Sequence, residues 1–208
     1  MRHSLFPDKR GFTLLEVMVA MGIFVILSGG TAWLYITSSR SNAIIWEQLE
    51  KQNEGRKVLQ EVIDTVRRAE QSSIGAYPIE RADLYELILY ANVDTDTLRE
   101  RVRFFVDVES NTFVRGVIKP AGNPLVYSGA NESTSTLASD VVNDDEGVPV
   151  FLYYNEQYTG TQTALTPPVS TTDIHVIRVQ LELEKDPTAT PVPLHVELVV
   201  HVRNLKTN

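Results

Sequence analysis

Hydrophobic and polar positions change their period twice along this chain. From Phe12 to Ile36 nearly every residue is apolar or small, and Glu16 is the one charge in the stretch. At about 1.5 Å rise per residue these 25 positions make roughly 37 Å of helix, enough to cross a bilayer core of about 30 Å. The run exceeds the apolar core of a secretory signal peptide, usually about 7–15 residues, and no small-x-small cleavage site with a plausible mature start follows it closely. The segment is therefore expected to stay.

Beyond Arg40 the apolar positions thin to one side. Ile44, Leu49, Leu59, Val62, Ile63, Val66 and Ala69 recur at three- and four-residue steps. Glu47, Glu50, Lys51, Gln60, Glu61 and Arg67 fill the intervals, which is the pattern of an amphipathic helix. No proline lies between Pro7 and Pro78, so a single helix is predicted from about Phe12 to Gln71. Gly22, Gly29, Gly30 and Gly55 weaken it by about 1 kcal/mol each relative to alanine. Ser72, Ser73, Gly75 and Pro78 supply the stop.

After Pro78 the period becomes two. Val102, Phe104, Val106 and Val108 alternate with Arg101, Arg103, Asp107 and Glu109. A turn at Ser110–Thr112 leads into Phe113–Ile118, which makes a hairpin. Two more alternating strands follow, over Ile177–Glu184 and Leu194–Arg203, joined by the proline-containing stretch Lys185–Pro193. Leu84–Tyr90 and Pro149–Tyr154 are further strands by composition, while the polar tracts Lys119–Ser135 and Glu156–Asp173 are expected loops. The fold class is α+β: a long N-terminal helix, transmembrane and then amphipathic, packed on an antiparallel β-sheet. The divisions expected are a leader at 1–11, a membrane segment at 12–36, the amphipathic continuation at 37–72 and a β domain at 73–208.

Charge and composition narrow the function. The net charge is -8 and there is no cysteine. A broad nucleic-acid-binding face, a disulfide framework, thiolate catalysis and a Cys-based zinc site are thereby disfavoured or excluded. The first ten residues carry Arg2, Lys9 and Arg10 against Asp8, a local positive excess that favours the cytoplasmic side, with the acidic remainder exported.

The deciding segment is Lys9-Arg10-Gly11-Phe12-Thr13-Leu14-Leu15-Glu16-Val17. A short basic leader, a glycine before an aromatic residue and a glutamate five positions into the following chain resemble the prepilin processing signature. Over Lys9 to Ile36 the chain resembles type IV pilins and type II secretion pseudopilins. The resemblance implies cutting between Gly11 and Phe12 by the prepilin peptidase and N-methylation of Phe12. It also implies an assembly contact between Glu16 and the cationic N-terminus of a neighbouring subunit. The physical reasons agree with the motif. Glycine admits an extended backbone to a peptidase site without side-chain obstruction, and a carboxylate in a membrane, costing about 2.5–3.5 kcal/mol at the helix centre, calls for a partner.

Further along, Val114–Gly116, Leu137–Asp140, Phe151–Tyr154 and Val202–Lys206 are similar in order to minor pilins of the pseudopilin J class. This implies a low-copy subunit near a filament tip. Its partners would be other pilin subunits, the inner-membrane assembly platform and membrane lipid. The chain lacks the proline that many major pilins carry in the apolar helix; Gly29-Gly30 stands there as a possible melting point, or the helix stays continuous.

Other constellations have ordinary readings. His195, Glu197 and His201 share a strand face, but His195 and His201 would stand roughly 20 Å apart and cannot share one ion. The acidic run Asp140, Asn143, Asp144, Asp145 and Glu146 before Gly147 offers calcium-type oxygens without an EF-hand spacing, and reads first as a solvated turn. Trp33, Tyr35 and Trp46 suit the outer membrane interface. No nucleophile elbow or phosphate loop is present, so neither an enzyme nor a cofactor is expected. A structural subunit is favoured; the competing reading is a tip adhesin or DNA-uptake subunit.

Overall fold

The computed structural model describes residues 13–184 and 193–202, apart from the side chains of residues 40–45, 47 and 48. The chain divides into two compact units, Met1–Glu47 and Gln48–Asn208. Helix α1 runs from Leu14 to Arg67. It passes through Gly29 and Gly30 without a break.

Within the second unit, α1 carries its apolar stripe on Val58, Leu59, Val62, Ile63 and Val66, all buried in one core with the sheets. The stripe follows the helical period, leaving Lys57, Gln60 and Arg67 in solvent. The helix stops four residues short of the expected Gln71. The amides of Arg68 and Ala69 turn to carbonyls three residues back, and the Glu70 amide then donates to the Tyr90 carbonyl at 2.9 Å. Ala69 is bridged to Ala91. Pairing with a strand thus takes the donors that another helical turn would have used.

Two antiparallel sheets stand where the sequence suggests one. Five strands form a meander in the order β1-β2-β3-β4-β5. They are β1 Ile79–Ala82, β2 Glu86–Ala91, β3 Glu100–Asp107, β4 Thr112–Ile118 and β5 Ser133–Ala138. A second sheet orders β6 Phe151–Tyr154, β7 Val176–Leu183 and β8 Leu194–His201. Phe104, Phe113 and Phe151 join the layers, with successive ring centroids 6.1 and 6.2 Å apart. The backbone links them too, since the Val150 and Phe151 amides both donate to the Leu84 carbonyl.

Strand β3 buries Val102 and Phe104 as its alternation predicts, but the pattern ends early. Val108 lies past Asp107 in the turn and is exposed, because the hairpin closes at Asp107 opposite Thr112. The outer face of the meander is held by ion pairs. Arg101 grips Glu80 with two bonds of 2.7 and 2.8 Å, and the Tyr90 hydroxyl donates to the same carboxylate at 2.5 Å. The Arg101 guanidinium holds the Glu80 carboxyl below its usual range. Arg103 forks onto Glu132 at 2.9 and 3.0 Å and lies over the Phe105 ring. Gly116 makes room for that pairing, since a Cβ there would stand 2.1 Å from a Glu132 carboxylate oxygen.

Candidate functional site

Gly11 and Phe12, the expected cleavage and methylation residues, lie outside the described residues. The described part of the motif begins at Thr13, and there the structure adds a detail. Glu16 Oε2 accepts from the Thr13 amide at 3.0 Å and from its hydroxyl at 3.1 Å. The Glu16 amide in return donates to Thr13 Oγ1 at 3.3 Å. This is a capping box, the T-x-x-E arrangement in which two helix-end donors are satisfied reciprocally. Glu16 is also the acidic residue of the first turn of α1, where the helix dipole favours negative charge. The spacing Thr13–Glu16 carries this signal in the sequence itself, and reading Glu16 only as an intersubunit group passes over it.

Leu14–Ser39 is a helical span of 26 residues with mean hydropathy 2.0, long and apolar enough to cross a membrane, and none of its most apolar window is buried within the protein. Leu14, Phe24, Ile26 and Leu34 stand in the open. Trp33 and Tyr35, near the end of the span, and Trp46 beyond it are exposed as interfacial anchors require.

The remaining sequence candidates lie in the β domain. His195 stands opposite Glu182 across β7 and β8, with Nδ1 2.5 Å from the carboxylate. His201 faces Val176 at the other end of the ladder, so the two imidazoles share nothing. In the acidic run, Asp140 pairs with Lys51 at 2.8 Å. Asn143 is fully buried, accepting from the Glu182 amide at 2.8 Å and donating to the Val148 and Gln180 carbonyls. Among the described residues, carboxylates are gathered closely enough for a shared ion elsewhere, at Asp94, Asp96 and Glu100. Val114–Gly116 falls on β4 and Phe151–Tyr154 on β6; Leu137 and Ala138 end β5. Of the closing motif Val202 is buried, and residues 203–206 lie outside the described residues.

Residues 7–32 match the family model of the prokaryotic N-terminal methylation motif. Comparison with curated proteins and with solved structures gave no match. The motif and the exposed apolar helix together support a type IV pilin-like protein, of the kind anchored in the inner membrane, processed by prepilin peptidase and assembled with other pilins.

Proposed function

We propose that this chain is a minor pilin or pseudopilin, a non-catalytic structural subunit at or near the tip of a type IV pilus or type II secretion pseudopilus. The methylation motif at residues 7–32 carries this reading. In it, residues 1–11 are the leader, 12–36 the membrane and assembly segment, 37–72 the amphipathic continuation and 73–208 the β domain. Prepilin peptidase cuts between Gly11 and Phe12, and Phe12 is N-methylated. The C-terminal domain lies outside the inner membrane, where the subunit meets the assembly platform, other pilins and lipid. The order of short motifs from Val114 to Lys206 supports the tip class.

The mature N-terminus tests this directly. Mass spectrometry of the protein recovered from its own host is expected to find methylated Phe12 as the first residue. Gly11→Leu puts a branched side chain into the scissile segment and is expected to leave the leader attached. A mature start at any other residue would overturn the assignment.

A further inference from the structure

The connection between β2 and β3 holds a group of carboxylates that the proposed assembly role does not use. One carboxylate oxygen from each of Asp94, Asp96 and Glu100 lies within 4.8 Å of the others. Each side chain spends one oxygen on an amide of the same connection. Asp94 Oδ1 accepts from the Asp96 amide at 2.8 Å, Asp96 Oδ1 from the Leu98 amide at 2.7 Å, and Glu100 Oε2 from the Val93 amide at 3.0 Å.

The other oxygens are what make this more than an acidic turn. Asp94 Oδ2 is 2.8 Å from the Lys119 ammonium, and Asp96 Oδ2 contacts the same ammonium. Glu100 is only 2% exposed, and its Oε1 is buried without any hydrogen-bond partner. A buried polar atom left unpaired costs about 1–3 kcal/mol, more when charged, and native proteins keep such atoms where something supplies the missing contact. Lys119 brings its one positive charge to Asp94 and Asp96 and leaves Glu100 Oε1 unserved.

The donors are all hard oxygens, with no imidazole or thiolate, a set that suits calcium or magnesium over softer metals. Two oxygens bound to one calcium ion at about 2.4 Å stand at most about 4.8 Å apart, and calcium accepts irregular geometry that magnesium does not. We propose that Asp94, Asp96 and Glu100 form a calcium site at the β2–β3 connection, with the Lys119 ammonium as the resident counter-ion that calcium displaces.

Lys119 is suited to that exchange, because its side chain is half exposed and can turn into water. The connection is also tied to its surroundings. Arg99 bridges to Glu70 at 3.1 Å, its amide donates to Ser73 Oγ at 2.8 Å, and its carbonyl accepts from the Tyr127 hydroxyl at 2.6 Å. An ion bound between Asp94 and Glu100 therefore stiffens a segment already pinned to the end of α1, and stabilises the folded state by mass action.

Calcium titrated into the full chain in detergent, starting from chelator-treated buffer and followed by calorimetry, provides the test. One calcium per chain is expected, with a higher midpoint of thermal unfolding in its presence. Lys119→Gln removes the competing ammonium and is expected to tighten binding by about tenfold. Asp94→Asn changes an exposed ligand and is expected to weaken binding at least about tenfold while leaving the unloaded fold intact, which Glu100→Gln at a buried position does not guarantee. Magnesium titrated alone is expected to bind at least about tenfold more weakly. The proposal fails if neither the natural chain nor Lys119→Gln takes up calcium at a few millimolar. It fails equally if Asp94→Asn binds as tightly as the natural chain, or if magnesium binds as well as calcium.

Discussion

Asn143 does with its side chain what a strand residue does with its backbone. Its carbonyl oxygen receives the Glu182 amide and its amide group serves the Val148 and Gln180 carbonyls, from a side chain that is itself fully buried. Asn143→Ala would leave the Glu182 donor and two acceptors to find partners in a closed space. A loss of about 2–3 kcal/mol of stability is expected, since each buried group left unpaired costs about 1–3 kcal/mol before relaxation. Thermal unfolding of the full chain followed by circular dichroism would read this as a clear drop in midpoint, and a midpoint unchanged by the substitution would refute it. From the sequence, Asn143 looked like one oxygen donor among several in an acidic run. Two of its three partners stand 37 and 39 residues further along, so a local pattern could not assign its whole role. Thr13 and Glu16 show the opposite case, because a capping box is written within four consecutive residues.

Gly55 illustrates how an element's apparent defect becomes a packing device. Taken alone it weakens α1. A Cβ built there would meet Val196 Cγ2 at 2.8 Å and Leu183 Cδ1 at 3.0 Å, so the glycine allows the helix to approach β7 and β8 closely. Gly55→Leu is expected to destabilise the protein by about 1–3 kcal/mol despite leucine's better helix propensity. Denaturant unfolding is the measurement, and an unchanged or raised stability would show that the helix can move away at no cost. Strands β3, β7 and β8 were legible because one face of each is buried, which enforces alternation. Strands β1 and β5 were not. Ile79–Ala82 offers four residues with two charges in the middle, and Ser133–Ala138 is an edge strand whose first four residues are exposed. A strand with solvent on both faces has no hydrophobic period to read. The division into two sheets was also hidden, because it depends on which strands pair and not on how each one alternates.

For the molecule as a whole, Glu16 poses the question of whether it acts within its own chain or between chains. The Thr13 bonds give it partners at home, and they satisfy one carboxylate oxygen without neutralising its charge. In a membrane that residual charge still favours a cation, and the proposed one is the N-terminus of an adjacent subunit. Charge and cap can be separated by substitution. Glu16→Gln preserves the capping box, which accepts glutamine as readily as glutamate, but removes the charge. Thr13→Ala removes the hydroxyl of the box, at about 1 kcal/mol, and leaves the carboxylate. If the subunit joins its neighbours through the charge, Glu16→Gln and Glu16→Ala should both be cut normally after Gly11 yet enter filaments poorly, with fewer or delayed filaments. Thr13→Ala should be incorporated nearly as well as the natural chain. Filament counts and the amount of protein in sheared fractions, with cleavage followed by mass, measure all three variants together. Normal incorporation of Glu16→Gln alongside a defect in Thr13→Ala would assign Glu16 to the helix cap and remove it from the assembly contact.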